Sequence, residues 1–361
     1  MKKTLLLTHE YYPFKGGVAR YCYNMFKFFD KDDYLVVTDH PEVKTQDNII
    51  NVRLTHKFIK PSWLFSFWKI RKIIKDNDIE QIFTPNILPL GSMAHWLGVP
   101  YIISLHGLDI NLALKNKPRL TAKILSRADK IIVNTKNTAK LISHLKFPQD
   151  KIRLVYPSLD FNASHNPDKL LKIKQSLNIE SGDKILLTVG RLNRRKGQDI
   201  VIRAVNQLKK ELNLKYIIVG SGDFKKELLL LIRKYQLQDR VFIYSGVEDE
   251  DLICYYKLAD IFVMPNRHDK TDIEGFGVVF LEAARLSIPI IGGNSGGVTE
   301  LFTHEKNALL VNNENVDQLI EYIKRLLNNP EEADKLAKRA FARSQDFADA
   351  QEQSLLLSKV L

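Results

Sequence analysis

The sequence has few cysteines and no long apolar run, and each absence excludes a class of protein. Among its 361 residues there are two cysteines, Cys22 and Cys254, which lie far apart and in no metal-type spacing. This argues against a disulfide framework or a cysteine-rich metal site and suits a reducing, cytoplasmic setting. No stretch approaches the roughly 18 apolar residues that a membrane-spanning helix requires.

The first residues, MKKTLLLTHEYYP, do not have the pattern expected of a secretory leader. Two lysines are followed by only three leucines before polar residues return. A signal peptide needs a longer apolar core and a small-residue cleavage site, so we expect this segment to form the first β-strand.

Acidic residues are scarce in the first half of the chain. The net charge is +12, and residues 1–160 hold 25 lysines and arginines against 14 acidic residues, a balance of +11. An acidic partner is therefore expected to approach this half: a nucleic acid, an anionic membrane or an acidic substrate. A nucleic-acid-binding protein would also need a recognition module, and we find no helix-turn-helix, zinc or RNA-binding signature.

What the sequence does have is a regular alternation of apolar runs and amphipathic segments. Runs such as TLLLT, YLVVT, KILLTVG and IFVMP are separated by helical patterns at 17–29, 62–76, 196–211, 223–235 and 315–327. Continuous apolar strands separated by helices indicate parallel sheets covered on both faces. The alternation pauses at 157–170, which we interpret as a linker. The sequence therefore predicts an α/β protein with two doubly wound domains that face each other across a cleft.

Two cations follow a predicted strand in TVGRLNRRKGQDI. The strand ends at Gly190 and a helix begins near Gly197, so Arg191 and Lys196 lie at the carboxyl edge of a sheet, beside a helix N-terminus. Phosphate is the natural ligand at such a place. The alternative is a solvated basic turn.

Glycines follow the next strand in IIVGSGDFKKEL. Gly220 and Gly222 would let the backbone approach a ligand closely. A third glycine is missing, so the pattern is a weak dinucleotide fingerprint, and an ordinary tight turn remains the alternative.

The stretch DIEGFGVVFLEA carries two acids, Glu274 and Glu282, eight residues apart. Gly275 and Gly277 would expose backbone N–H groups at a helix start, and Glu274 would accept hydroxyl hydrogen bonds from the loop. Glu282 lies among apolar residues, where an unpartnered carboxylate costs several kcal/mol. Sugar or ribose hydroxyls would satisfy it, and a salt bridge to a nearby cation is the alternative.

Two further loops in the first half follow predicted strands. In THEYYPFKGGVARY, Gly16 and Gly17 open a helix and are candidates for phosphate contact. In SLHGLDI, His106 and Asp109 stand at a strand end, where a histidine can have a functional role or a structural one.

These stretches together resemble the retaining GT-B glycosyltransferases of family 4. Glu274 and Glu282 match the family's Glu-x₇-Glu motif, and Arg191 and Lys196 match its usual Arg/Lys pair. HEYYPFKGGVARY, HGLD and ADKIIVNT resemble its N-terminal landmarks. One departure is YPSLDF at 156–161, where the family commonly has Asn-Gly-Val-Asp.

The resemblance implies a domain for each substrate. An N-terminal domain at 1–160 would meet the acceptor, and a C-terminal domain at 165–344 would bind the nucleotide sugar. The family's last helix usually crosses back onto the N-domain, so residues 345–361 are expected to pack there.

Roles for the site residues also follow from the resemblance. Arg191 and Lys196 would neutralise the donor pyrophosphate as the leaving nucleotide gains charge. Glu274 would hold donor-sugar hydroxyls, and Glu282 the ribose hydroxyls. His106 would contact the donor sugar near its anomeric centre.

The remaining candidates would contact the donor mainly through the backbone. The donor-binding set is Gly16, Gly17, Gly220, Gly222, Gly275, Phe276 and Gly277. Asp109 is assigned to the acceptor side. The family generally needs no metal, no Asp-x-Asp site stands in a suitable loop, and no cofactor is expected beyond the nucleotide sugar.

The expected reaction moves a hexose to a lipid-linked glycan or glycolipid in cell-envelope polysaccharide synthesis. The region around residues 264–297 resembles mannosyltransferases that use GDP-mannose somewhat more than enzymes that use a UDP-hexose or UDP-N-acetylhexosamine. Residues 57–77 interleave aromatic and basic side chains, which suits peripheral contact with an anionic membrane at its inner face. The alternative is that these aromatics belong to the core.

Three other functions are weighed against this one. A nucleotide-sugar epimerase or phosphorylase-like enzyme of the same fold would need further acid and base residues, which we cannot place. A basic nucleic-acid-binding protein would need a recognition module, and we find no signature of one in this sequence. A sugar-binding protein without catalysis would not need the intact set of Arg191, Lys196, Glu274 and Glu282.

Overall fold

The structure is a computed structural model that describes residues 2–14, 16–145, 147–160, 164–267 and 275–361. The chain divides into two compact units. Unit 1 comprises Met1–Asp160 and Ala348–Leu361, and unit 2 comprises Phe161–Phe347.

Unit 1 is built on a parallel sheet with helices between its strands. Its strands are β1 (Thr4–Thr8), β2 (Tyr34–Thr38), β3 (Ile49–Asn51), β4 (Gln81–Thr84), β5 (Tyr101–Leu105), β6 (Lys130–Val133) and β7 (Ile152–Leu154). Its first helices are α1 (Gly17–Phe26), α2 (Leu64–Asp76), α3 (Ser92–Leu97), α4 (Leu108–Asn116), α5 (Pro118–Arg127) and α6 (Lys136–Ile142).

The strand order in unit 1 is β3-β2-β1-β4-β5-β6-β7, with every pair parallel. Strands such as TLLLT and YLVVT are buried along their whole length, because apolar clusters cover both faces of the sheet. The order reverses between β1 and β4. In doubly wound sheets, ligands bind outside the carboxyl ends of the strands at such a reversal.

Unit 2 repeats this plan with a second sheet. Its strands are β8 (Lys184–Val189), β9 (Leu214–Val219), β10 (Val241–Tyr244), β11 (Ile261–Met264), β12 (Ile290–Gly293) and β13 (Leu309–Val311). Its helices are α7 (Pro167–Ser176), α8 (Gln198–Leu208), α9 (Lys225–Lys234), α10 (Asp249–Leu258), α11 (Val278–Arg285), α12 (Val298–Leu301), α13 (Val316–Asn328) and α14 (Pro330–Ser344).

The strand order in unit 2 is β10-β9-β8-β11-β12-β13, again parallel throughout. Its reversal lies between β8 and β11, so the loops that follow these two strands mark the expected ligand position. Both sheets thus have the doubly wound order that the sequence predicts.

The last helix, α15 (Ala350–Ser358), belongs to unit 1. It packs on α1, where the Ser354 hydroxyl donates to the Met25 carbonyl at 2.8 Å. The Gln353 amide donates to the Tyr156 carbonyl at 2.8 Å. Leu357 is fully buried in the apolar cluster of this face.

The predicted linker at 157–170 is wrong at its end. α7 begins at Pro167, and the side chain of Asn166 caps it by accepting from the N–H groups of Asp168 and Lys169. Asparagine before proline is a common helix start, which explains the extra helical residues.

In the part of the chain that the structure describes, no helix is long and apolar enough to cross a membrane.

Candidate active site

Arg191 and Lys196 both belong to the loop that follows β8, at the reversal of the unit 2 sheet. Gly190 ends the strand and Arg191 is exposed directly after it. Residues Arg194–Lys196 form a 3₁₀ turn, and Lys196 is buried. A Cβ atom placed on Gly190 would lie 3.7 Å from the Lys196 ammonium nitrogen, so this cation lies beside the strand end.

The glycines after β9 bring a second loop against the first. A Cβ on Gly220 would lie 2.0 Å from the Gly190 carbonyl oxygen, and one on Gly222 would lie 2.2 Å from that of Leu192. Both glycines have a φ of +156°. The N–H of Leu192 also donates to the Ser221 carbonyl at 2.8 Å. These glycines are therefore required by backbone packing, and their contact with a nucleotide stays a prediction.

Arg267 lies in the segment that follows β11. It fixes the loop at residues 191–196, which carries Arg191 and Lys196 and is called the cationic loop below. Its buried guanidinium donates to both carboxylate oxygens of Asp199, at 2.8 and 2.7 Å. Its own N–H donates to the Arg195 carbonyl at 2.7 Å. A bidentate arginine–carboxylate pair of this kind is rigid, so it holds the turn that carries Lys196.

Sequence reasoning missed Arg267 and its partner Asp199. They are 68 positions apart, and nothing in the local pattern of either segment marks them as a pair. The ion pair follows from the adjacency of β8 and β11, which only the folded sheet provides.

The glycine-rich stretch before α11 is described from residue 275 onward. Gly277 precedes the first turn of the helix, and Gly275 and Phe276 stand before it. Phe276 is buried against Phe347, with ring centroids 5.6 Å apart. Glu274, predicted to hold the donor sugar, lies outside the described residues.

Glu282 on α11 is a buried carboxylate with a hydroxyl partner. The Tyr256 hydroxyl of α10 donates to its Oε2 at 2.7 Å. This bond accounts for part of the cost of burying the charge. Binding of ribose hydroxyls by Glu282 stays a prediction.

In unit 1, His106 and Asp109 lie together where β5 meets α4. The N–H of His106 donates to Asp109 Oδ1 at 2.9 Å. Within the described residues, His106 Nε2 and Asp109 Oδ2 are shielded from water and make no hydrogen bond. Burial lowers the pKa of His106 to about 4 and raises the pKa of Asp109 to about 6. The imidazole is therefore neutral at pH 7.

Gly16 and Gly17 stand at the start of α1, at the carboxyl edge of the same sheet. A Cβ on Gly16 would meet the Phe14 ring at 2.6 Å, whereas one on Gly17 would meet nothing within 4 Å. Gly16 is thus required by its neighbours, and the open space at Gly17 is compatible with the predicted phosphate contact.

Across the described ranges, no group of three or more His, Cys, Asp or Glu side chains is arranged to hold a metal ion. Independence from metal stays a prediction from the resemblance.

Two family models match the chain, one in each half. Residues 15–162 match the family described as "Glycosyltransferase Family 4", and residues 171–343 match "Glycosyl transferases group 1". The chain is a family 4 glycosyltransferase. This outcome confirms the resemblance on which the site residues were assigned.

Curated relatives of this glycosyltransferase match it along most of its length. A GDP-mannose-dependent alpha-(1-6)-phosphatidylinositol monomannoside mannosyltransferase from Mycobacterium tuberculosis is 25% identical over 91% of this chain and 89% of the relative. A GDP-mannose-dependent monoacylated alpha-(1-6)-phosphatidylinositol monomannoside mannosyltransferase from Corynebacterium glutamicum is 26% identical over 91% of this chain and 90% of the relative.

A solved structure of similar fold is Anabaena HepE in complex with UDP and glucose. It has a TM-score of 0.83 and 20% identity, and the match covers 99% of each chain. WaaG, a glycosyltransferase involved in lipopolysaccharide biosynthesis, gives a TM-score of 0.76 at 16% identity, with 99% of each chain covered. The predicted GT-B fold class of this glycosyltransferase is therefore confirmed.

Proposed function

We propose that this glycosyltransferase moves a hexose, with retention of anomeric configuration, from a nucleotide sugar to a glycolipid or lipid-linked glycan. The observation that carries the proposal is the cationic loop at the reversal of the unit 2 sheet. Arg191 is exposed at the strand end, the Lys196 ammonium lies beside it, and the buried Arg267–Asp199 pair holds the turn.

This loop suits the chemistry of a leaving nucleoside diphosphate. Negative charge grows on the pyrophosphate as its bond to the sugar breaks, and preorganised cations stabilise that charge in the transition state. Arg191 and Lys196 would do this without a metal ion. Glu282 would orient the nucleotide through its ribose.

GDP-mannose is the donor we favour, with a UDP-hexose or UDP-N-acetylhexosamine as the alternative. Two observations support GDP-mannose. Residues 264–297 resemble the corresponding region of mannosyltransferases, and the relatives from Mycobacterium and Corynebacterium are named as GDP-mannose-dependent enzymes that act on phosphatidylinositol mannosides. The same relatives support a glycolipid as acceptor. HepE, at 20% identity, was solved with UDP and glucose and keeps the alternative open.

Peripheral contact with the inner face of the cell membrane is part of the proposal. α2 buries Ser66, Ile70 and Ile74 on one side. Its opposite side exposes 65% of Phe65 and 68% of Trp68. The exposed cations of this helix are Lys69, Arg71, Lys72 and Lys75. Aromatic rings among cations suit an anionic lipid surface, to which a glycolipid acceptor would be confined.

The test of the donor site compares wild type with Arg191→Ala over a panel of GDP- and UDP-sugars. We expect one sugar nucleotide to bind selectively, and the variant to bind it roughly 10–100-fold more weakly, because a charge-assisted hydrogen bond to phosphate is lost. Titration calorimetry measures the Kd. NMR of the transfer product gives its anomeric configuration.

A matched control is Arg233→Ala, which removes an exposed arginine near the end of α9 in the same unit. It should leave the Kd unchanged. If no sugar nucleotide bound at millimolar concentration, the proposed function would be wrong. If both variants bound like wild type, the assignment of the cationic loop would be wrong.

A further inference from the structure

His9 and Asp39 are brought together by neighbouring strands of unit 1. Thr8 and Thr38, the last residues of β1 and β2, are paired in register, so the residues that follow leave the sheet side by side. His9 Nδ1 lies 2.8 Å from Asp39 Oδ1. Asp39 Oδ2 accepts from the N–H of Leu54 at 3.2 Å, which fixes the carboxylate through its second oxygen.

This pair lies at the reversal of the unit 1 sheet. The order reverses between β1 and β4, and the N–H of His9 donates to the side-chain oxygen of Asn86, just beyond β4, at 3.3 Å. Ligands of doubly wound sheets bind outside the strand ends at this point. His9 therefore occupies the position of unit 1 that corresponds to the cationic loop of unit 2.

The hydrogen bonds determine which nitrogen of His9 faces a ligand. Burial acts to raise the pKa of Asp39, but the hydrogen bond and charge of His9 and the N–H of Leu54 outweigh it and hold this pKa below its usual value. An ionised carboxylate only accepts, so Nδ1 donates to Asp39, and Nε2 is the ring nitrogen left for a ligand. Among the described residues Nε2 makes no hydrogen bond, and the side chain is 27% exposed.

Charge favours a hydroxyl-bearing ligand over a phosphate here. The negative Asp39 repels a pyrophosphate, whereas a hydroxyl both donates and accepts and can therefore pair with Nε2 in either protonation state of the ring. The same loop exposes 52% of Tyr12, whose ring stacks on Tyr23 at 4.6 Å. An exposed aromatic face is a surface on which a sugar ring packs.

We propose that His9 and Asp39 form part of an acceptor-binding site, in which His9 Nε2 forms a hydrogen bond with a hydroxyl of a sugar or cyclitol. Asp39 is the positioning residue that fixes the orientation of the ring. The inference rests on the proposed function, since an acceptor exists only if a sugar is transferred. It adds to that function a site on unit 1 that binds acceptor and not donor.

The kinetic test uses His9→Gln and Asp39→Asn in the full chain. The donor is the sugar nucleotide selected by the panel, and the acceptor probes are octyl α-D-mannoside and phosphatidylinositol in micelles. We expect the KM for acceptor to rise about tenfold or kcat/KM for acceptor to fall as much, while the Kd for donor stays within twofold. His144→Gln, which changes an exposed histidine of the same unit, should alter neither.

A fall in donor affinity equal to the fall in transfer would place the pair in the donor site and overturn the inference. Unchanged transfer in both variants would overturn it as well. Because all three tryptophans lie in unit 1, their fluorescence shows directly whether each variant is folded.

A binding test separates this inference from the proposed function. The ring signal of His9 is assigned in the NMR spectrum by its loss in His9→Gln, and myo-inositol or methyl α-D-mannoside is then titrated into wild type. A shift of that signal with either polyol, and none with GDP or UDP alone, supports the site. A shift with nucleotide alone, or no shift with any polyol, overturns it, whether or not the chain binds a sugar nucleotide.

Discussion

At the scale of single residues, His106 and Asp109 have opposing effects on stability as pH changes. Burial moves the pKa of His106 from 6.5 down to about 4, so its contribution is present above pH 6.5 and is lost as pH falls through 4. Burial moves the pKa of Asp109 from 3.8 up to about 6, so its contribution is present below pH 3.8 and is lost as pH rises through 6. Each is worth about 3 kcal/mol.

Removing one member of this pair should expose the dependence of the other. Between pH 4 and 6.5, Asp109→Asn should make the free energy of unfolding rise with pH more steeply than in wild type. His106→Gln should have the opposite effect, so that the free energy of unfolding falls with rising pH over this range. Urea unfolding followed by tryptophan fluorescence measures unit 1 at each pH, and identical slopes in all three proteins would contradict the assignment.

Sequence reasoning identified residues that a local motif marks and missed those that only tertiary adjacency joins. Arg191 and Lys196 share one loop, so a local motif marks both as candidates, and their role in donor binding stays a prediction. His9 and Asp39 are 30 positions apart, although each follows a predicted strand directly, which is the signal that would have found them. The Tyr256 partner of Glu282 has no such signal, because it depends on how α10 packs against α11.

At the scale of elements, the strands were predictable and the helix ends less so. Each apolar run that we singled out contains a strand, because burial on both faces leaves a continuous apolar signature. Helix ends depend on local caps, and the observed ends differ from the predicted ones by a few residues. The helix predicted over 17–29 ends at Phe26, and the helix predicted over 196–211 begins at Gln198. The aromatic residues of 57–77 are divided between the core and the surface, since Trp63 is buried and Trp68 is exposed.

The contribution of α15 to unit 1 gives a prediction at this scale. Leu357 is fully buried, whereas Leu355, on the same helix, is 57% exposed. Leu357→Ala should lower the free energy of unfolding of unit 1 by about 2–5 kcal/mol, because it leaves a cavity in the core. Leu355→Ala should change it by less than about 0.5 kcal/mol. Urea unfolding by tryptophan fluorescence compares them, and equal effects would show that α15 does not pack as described.

At the scale of the whole molecule, positive charge is concentrated in one half of the sequence. Residues 1–160 carry a balance of +11, and the remainder is almost neutral. The proposed phosphate binding in unit 2 needs only the few cations of its loop, so this excess calls for another partner. The exposed rings and cations of α2, where the Arg71 guanidinium lies 5.6 Å from the Trp68 ring centre, favour an anionic membrane.

Flotation with phosphatidylglycerol vesicles tests this partner. We expect wild type to float at low salt and less at high salt, because screening weakens attraction between exposed charges. The double variant Phe65→Ser, Trp68→Ser should bind at least tenfold more weakly, since each aromatic buried in the interface is worth about 1.5–3 kcal/mol.

A matched control, Leu230→Ser with Phe341→Ser, removes two exposed apolar side chains of unit 2 and should float like wild type. If wild type stayed unbound at low salt, the membrane proposal would be wrong. If the two double variants lost binding equally, the membrane-facing surface would not be α2.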